Sequence, residues 1–308
     1  MANLKDIKSR IQSIENTKKI TRAMKMVAAA KVKKSENAAK STRPYSDALV
    51  DIFKKLVSSV GTSQPSGMKF EHAIENYPLL LSKRDVKTVG ILAITSNKGL
   101  AGAYNANIVK NVIKAIKAYK DNNIDVKLFI IGQKGLSGLK RKAEAFDVEI
   151  VKSYTKVINE VSPIGAETVA EDLADSYISG QIDKVEVFTT KFRNMMSYSP
   201  ENWDLIPVSV EKSDEKENHV IDPLMEFEPS QEFVLQKLMP MYLTNTIYHA
   251  LLEAQASELA SRMTAMSAAS NNAEEMIRTL TIDYNKARQW AITQEILEVV
   301  SGADALKG

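Results

Sequence analysis

The spacing of apolar residues changes period along this chain. Near the C-terminal end, Leu252, Ala256, Leu259, Met263, Met266, Ser270, Ala273, Ile277, Leu280, Tyr284, Ala287 and Ala291 follow one another at alternating steps of four and three, and only Ser270 is polar. A 3.5-residue repeat sustained over that length predicts the seam of a left-handed coiled coil. Near the N-terminal end, Leu4, Ile7, Ile11 and Ile14 begin a similar stripe. Thr17, Ile20, Met24 and Val27 continue it through a local change of phase, and three alanines, residues 28–30, follow. Residues 241–301 contain neither Gly nor Pro, and residues 1–60 contain only Pro44. Gly and Pro in a helix interior cost about 1 and 3 kcal/mol, so their scarcity permits very long helices. Two such helices at opposite ends of one chain, joined through a body between them, predict an antiparallel pair. Small residues on the seam let the partner backbones approach closely.

The middle of the chain switches to strand-like runs. Residues 86–95 (VKTVGILAIT), 126–132 (VKLFIIG), 147–153 and 184–190 (KVEVFTT) read as strands, with helical stretches at 103–120, 134–145 and 166–179 between them. Strands alternating with helices predict parallel pairing, and residues 203–210 can add an edge strand. The expected fold class is therefore α/β: a long antiparallel coiled coil of the N- and C-terminal helices plus a central Rossmann-like α/β domain. The expected boundaries are 1–60 for the N-terminal helix, 61–84 for a linker, 85–210 for the α/β domain, 211–230 for a second linker, and 231–308 for the C-terminal helix and its tip. With residue 4 opposite about residue 284, everything beyond about 285 projects unpaired for roughly 30 Å. That part carries Ala287, Trp290, Ala291, Ile292, Ile296, Leu297, Val299 and Val300. An apolar tip without a partner helix calls for other chains to enclose it.

Composition narrows the chemistry. The 308 residues include no Cys and three His (His72, His219 and His249), which excludes disulfides and a cysteine nucleophile and argues against a histidine metal cluster. No run of about 18 apolar residues spans a bilayer. The beginning of the chain lacks the apolar core of a signal peptide. The loop SNKGLAGAYN, residues 96–105, joins the first strand to a helix, but its G-x-x-G spacing is not G-x-G-x-x-G. The second strand ends in Gly132 and Gln133 rather than in an acidic ribose ligand, and no P-loop is present. These glycines read as tight strand-to-helix turns, and no cofactor is expected. Gly132, Gly135 and Gly138 read the same way. Charge is uneven: residues 1–60 hold 14 Lys+Arg against 5 Asp+Glu, whereas the remainder is acidic. A basic limb suggests an anionic partner: nucleic acid, a membrane surface or acidic protein loops.

Three runs select among these partners. IKSRIQSIENTKKITRAMKMVAAAKVKK at residues 7–34 and YNKARQWAITQEILEVVSGADAL at residues 284–306 closely resemble the opening and closing helices of the F-type ATP synthase gamma subunit family. SNKGLAGAYN resembles its short central signature. The resemblance covers the whole chain. Lys98, Ala101 and Trp290 depart from residues common in the family, and the cysteine-bearing insertion of chloroplast relatives is missing, which points to the bacterial type. The resemblance implies a non-catalytic central stalk, the rotor shaft that couples ion flow to ATP synthesis and hydrolysis on beta. The implied partners are the alpha and beta subunits, the epsilon subunit and the c-ring, at the cytoplasmic face of the bacterial plasma membrane. It further implies that Met24, Lys25, Lys31, Lys33, Arg288, Gln289, Thr293 and Glu298 meet beta. It implies too that Lys191, Phe192, Met195, Leu224, Met225 and Phe227 lie at the c-ring or epsilon.

Overall fold

The computed structural model describes residues 4–60, 75–208 and 227–305. Much of both expected linkers, including Leu224 and Met225, lies outside these residues. The elements run α1 (Leu4–Val60), α2 (Tyr77–Leu81), β1 (Thr88–Ile94), α3 (Tyr104–Asp121), β2 (Asp125–Ile131), α4 (Gln133–Ala145), β3 (Glu149–Tyr154), α5 (Pro163–Ile178), β4 (Lys184–Asn194), β5 (Ser197–Ile206) and α6 (Gln231–Ala305). Two compact units result. One holds the chain up to Ala29 and from Arg262 on, the other Ala30–Ser261.

In the first unit, α1 and α6 pair antiparallel. Lys25 Nζ donates to Ser267 Oγ at 3.0 Å, and seven residues earlier Lys18 Nζ meets Glu274 Oε1, seven residues later, at 3.1 Å. The seam on α6 is the one its spacing predicts: Met266 and Ala273 are buried, and Met263, Ser270, Ile277 and Leu280 are half-buried. The seam on α1 differs from the expected one. Ile20 and Val27 are exposed, at 60% and 57%, and the buried positions are Thr21 and Ala28. From Ile7 the buried and half-buried stripe runs through Ile11, Ile14, Lys18, Thr21, Met24 and Ala28, so Met24 holds its expected place while Lys25 beside it is exposed. Apolar spacing alone missed the rest because Lys18 and Thr21 are polar. Thr21 fits there because its hydroxyl donates to the Thr17 carbonyl of its own helix at 3.0 Å, and the two lysines reach out to partners on α6.

The second unit continues the same stripe on α1 through Val32, Ser35, Ala39, Ser46, Leu49, Phe53 and Leu56, all buried. Here too the direction is antiparallel: Ser35 Oγ donates to Gln255 Oε1 at 3.0 Å, Ser46 Oγ donates to Asn245 Oδ1 at 3.1 Å, and Phe53 stacks on Tyr242 with ring centroids 4.1 Å apart. Buried hydrogen bonds of this kind fix register, since a slip leaves each group unpaired.

The body of this unit is a five-stranded sheet in the order β3-β2-β1-β4-β5. Its first four strands are parallel, and β5 returns antiparallel along β4. Central parallel strands are covered on both faces, and β1 is buried from Val89 to Ile94. One face, with Val89, Ile91, Leu128 and Ile130, packs against Ile108, Val112 and Ile116 of α3 and Leu139 of α4. The other, with Leu92, Phe129, Val185 and Val187, packs against Val169 and Leu173 of α5, Phe53 and Leu56 of α1, and Leu235 to Ala254 of α6. That second layer explains why α6 is buried on nearly every side from Ala250 to Ser261.

The strands and helices expected between residues 86 and 190 are all present. The expected edge strand at 203–210 is the end of a longer hairpin: β4 runs on to Asn194 and β5 starts at Ser197. The alternation of β5 (SYSPENWDLI) carries few apolar residues until Leu205, which hides it from an apolar pattern. The short helix α2 falls in the stretch read as linker. It is held because Leu80 and Leu81 enter the core and Leu80 O accepts from Val208 N at 3.0 Å.

The corrected seam is directly testable by urea unfolding of the isolated chain. Val32 is fully buried, so Val32→Ser should lower stability by about 2–4 kcal/mol. Ile20→Ser, on the exposed face, should change it by no more than about 0.5 kcal/mol.

Candidate functional site

In a doubly wound sheet, ligands bind beyond the carboxyl ends of the strands where the strand order reverses. Here that point lies between β1 and β4, next to the glycine-bearing loop at residues 96–103 and the start of α4. The first N–H groups of a helix form an anion site only when they are free. In α4 they are taken. Gln133 N donates to Asn97 Oδ1 at 2.8 Å, Lys134 N to Ser96 O at 2.9 Å, Gly135 N to Thr95 Oγ1 at 2.9 Å, and Leu136 N to Gly132 O at 3.3 Å. Thr95 Oγ1 in turn donates to Ile131 O at 2.7 Å. The buried Thr95 hydroxyl thus sits where a phosphate oxygen would.

The glycines follow from this plug. Gly132 has φ +97°, and a Cβ at Gly135 would run into Thr95 Oγ1. The rest of the loop is tied down as firmly. Ser96 N donates to Asn105 Oδ1 at 3.0 Å, and Asn97 Nδ2 donates to Asn159 Oδ1 at 2.8 Å. Ser261 Oγ of α6 donates to Ala101 O at 2.6 Å, so α6 also ties down the loop. Tyr104 is fully buried, meets the Tyr198 ring edge-on at 6.0 Å, and burial pushes its phenol pKa far above the ordinary tyrosine value. Gly132 is a turn residue as read, whereas Gly135 and Gly138 lie inside α4, where the missing Cβ makes room for Thr95 and Val109. Thr95, Asn97 and Asn105 are the residues that sequence reasoning passed over, because a Thr or Asn at a strand end carries no spacing signal. Among the described residues, no group of three His, Cys, Asp or Glu side chains could hold a metal ion.

The surface residues are distributed over the two units. In the first, Lys25, Arg288, Gln289, Thr293 and Glu298 are exposed and Met24 is half-buried. Thr293 Oγ1 donates to Gln289 O at 2.9 Å, whereas the Arg288 guanidinium meets no partner among the described residues. Around them Trp290, Ile292, Ile296, Leu297, Val299 and Val300 are 47–72% exposed on several faces of α6. In the second unit Lys31, Lys33 and Lys191 are exposed, Lys33 lying 3.9 Å from Glu36. Phe192 and Met195 turn inward, against Val32, Leu259 and Ala260, and Phe227 packs on the main core. The outward residue of the hairpin turn is Met196, 86% exposed.

A family model described as ATP synthase matches residues 3–306. The ATP synthase gamma chain of Gloeothece citriformis is 39% identical across 99% of this chain and all of the relative, and that of Heliobacterium modesticaldum is 39% identical with the same coverage. The chain belongs to the ATP synthase gamma chain family. Among solved structures, the gamma chain fold resembles a chain of the Tetrahymena thermophila mitochondrial ATP synthase central stalk and c-ring, with 27% identity and a TM-score of 0.56 over 82% of this chain and 99% of the other. It also shares the fold of a chain of the Euglena gracilis mitochondrial ATP synthase, with a TM-score of 0.66 at 16% identity, over 98% of this chain and 94% of that one. The gamma chain is a subunit of an enzyme complex, and among its described residues no helix is long and apolar enough to cross a membrane.

The plugged crevice yields a prediction in two parts. Isothermal calorimetry of the isolated gamma chain should give no saturable micromolar heat with ATP or NAD. Gly135→Ala, which drives a methyl into the Thr95 plug, should lower stability by about 1–3 kcal/mol in denaturant melts.

Proposed function

We propose that this chain is the rotor shaft of an ATP synthase, a non-catalytic subunit that carries rotation between a membrane ring and a hexamer of alpha and beta. The observation that carries the reading is the tip of α6. Its apolar residues, from Trp290 to Val300, are exposed on several sides of one helix rather than along one stripe. A single partner helix covers one stripe, whereas a surrounding sleeve covers all sides. Hydrophobic contact is non-directional, so such a sleeve encloses the tip yet leaves it free to turn. Family membership supplies the identity of the sleeve, alpha and beta.

The charged residues have the complementary task. Arg288 and Gln289 interrupt the apolar collar, and their N–H groups can make directional, charge-assisted bonds to one beta subunit at a time. Thr293 and Glu298 are assigned to the same coupling region. Met24, Lys25, Lys31 and Lys33 are assigned to acidic loops of beta, which accounts for the basic N-terminal limb. Lys191, Phe192, Met195, Leu224, Met225 and Phe227 are assigned to the c-ring and epsilon end. Of these, Phe192, Met195 and Phe227 are half-buried, so their part is to support the surface that makes contact. The expected location is the cytoplasmic face of a bacterial plasma membrane, with the chain peripheral, attached through its partners.

Affinity capture of the tagged chain from membrane extract tests the reading. Recovery of alpha and beta, each in about threefold excess over this chain as a closed ring around one shaft requires, supports it. Recovery of nucleic acid without them refutes it. On purified complexes, Arg288→Ala should slow ATP hydrolysis by roughly five- to a hundredfold, the equivalent of about 1–3 kcal/mol, with the subunits still assembled. Removal of residues 302–308 should leave hydrolysis within about twofold, since it spares Arg288 and most of the collar. An inactive truncation beside a fully active Arg288→Ala would place the coupling in the terminus instead.

A further inference from the structure

On the face of the sheet that meets the helix pair, the buried apolar core ends on β4 at Val187. Beyond it, within the Ala30–Ser261 unit, a cavity of about 430 Å³ lies between the β4–β5 hairpin and the two helices. That volume falls in the range of small-molecule sites, about 300–1,000 Å³. Residues directly opposite each other on an antiparallel pair share a face. Here Trp203 stands opposite Val187 and Glu201 opposite Thr189, and Trp203, Glu201 and Thr189 all line the cavity.

Two of these side chains lack partners. Thr189 is 3% exposed, and its hydroxyl meets no hydrogen-bond partner. Glu201 is half-buried and has no hydrogen-bond or ion-pair partner among the described residues. Polar groups left unmade inside a native protein call for something that completes them. The charges say what it is. Asp47 of α1, Glu201 and Glu253 of α6 line the cavity against two permanent cations, Arg43 and Lys191. Glu253 is held from the helix side, where Arg43 Nη2 and His249 Nδ1 each lie 3.8 Å from its Oε1. With the histidine neutral at about pH 8, one negative charge of the lining stays uncompensated.

We propose that this cavity is a binding site for a small organic cation, held by a primary ammonium group against Glu201, Thr189 and Trp203. An ammonium has three N–H donors and no acceptor. The Glu201 carboxylate accepts one of them in a charge-assisted bond, and the Thr189 hydroxyl accepts another. The Trp203 ring attracts the charge through its π-system. The alkyl part of the molecule has Val50 and Ala250 on the helix side to lie against. A bare metal ion does not fit, since among the described residues no group of three His, Cys, Asp or Glu side chains could hold one. The site goes beyond the rotor reading and does not depend on it.

Thr189 separates a binding site from a merely structural one. Its hydroxyl makes no bond within the chain, so the fold gains nothing polar from it. Valine has nearly the same outline and leaves no group unpaired. Thr189→Val should therefore keep or raise the resistance of the chain to urea, while weakening the cation about threefold through the lost acceptor. A threonine kept for folding alone would behave the opposite way, with stability lowered and affinity unchanged, and that result would overturn the proposal.

The affinity is read on the full chain carrying Trp290→Phe, which leaves Trp203 as its one tryptophan. The probe is n-butylammonium at about pH 8, where the amine is charged and the histidine is not. Trp203 emission should change saturably, with a dissociation constant on the order of 1 mM. Butyrate and n-butanol carry the same alkyl chain without the positive charge, and neither should give a saturable change at those concentrations. Glu201→Gln, which removes the charge and keeps the size, should weaken the probe roughly tenfold. Nuclear Overhauser contacts between the probe and the Trp203 indole of the unsubstituted chain locate the site without touching its charges, so the proposal stays testable if Glu201→Gln does not fold. Absence of both the emission change and the Overhauser contacts would overturn it. So would an equal response to n-butanol, tighter binding of butyrate, or an unchanged affinity in folded Glu201→Gln.

Discussion

Many places on the seam between α1 and α6 are closed by side chains that are small or polar, and this limits how much apolar area the pair can bury. Ala28, Ser35 and Ala39 on α1, with Ala256, Ala260 and Ala273 on α6, bury little apolar area apiece. Burial stabilises in proportion to area, about 25 cal/mol per Å², so such a seam is weaker per turn than one of leucines. What it provides is close approach and register. Ser35 to Gln255 and Ser46 to Asn245 each connect specific places, and Phe53 on Tyr242 anchors the end nearest the sheet. Within the Ala30–Ser261 unit, the sheet, α5 and the two helices share one core. There the helix pair depends on the sheet for much of its burial.

The unit's own groups also engage the place where doubly wound sheets ordinarily hold a ligand. Thr95 fills the start of α4, Asn97 and Asn105 tie the loop, and Ser261 of α6 reaches Ala101. A phosphate at the start of α4 would find its donors already engaged. The sheet thus works as a socket for part of its own chain, and its glycines serve close packing instead of recognition.

Much of this was legible in the sequence because it repeats. The α6 seam and the βαβ alternation each leave several evenly spaced residues, and the structure has both where the spacing puts them. The α1 seam was misread at Ile20 and Val27 because the buried positions beside them are held by polar Thr21 and small Ala28. A hydrophobic count cannot tell an apolar residue aimed at solvent from one aimed at a helix. For the α1 stripe, the exposure is itself informative, since it leaves Ile20, Met26 and Val27 uncovered by the chain. Thr95 left no pattern at all. It acts through Gly135, far away in sequence, and one sequence holds no record of which distant residues meet.

The antiparallel seam also constrains how the chain is made. Val32 is fully buried and packs with Leu259 and Ala260, more than two hundred residues later. A ribosome adding about 5–20 residues per second finishes α1 on the order of ten to forty seconds before those partners exist. During that interval the strands can pair, but one face of the sheet still lacks α6, and the stripe from Ile7 to Leu56 stands open beside the uncovered Ile20 and Val27. Contacts between such distant segments form slowly because the intervening loop must close first. The N-terminal helix therefore waits with its apolar stripe open until the far end of the chain has been made.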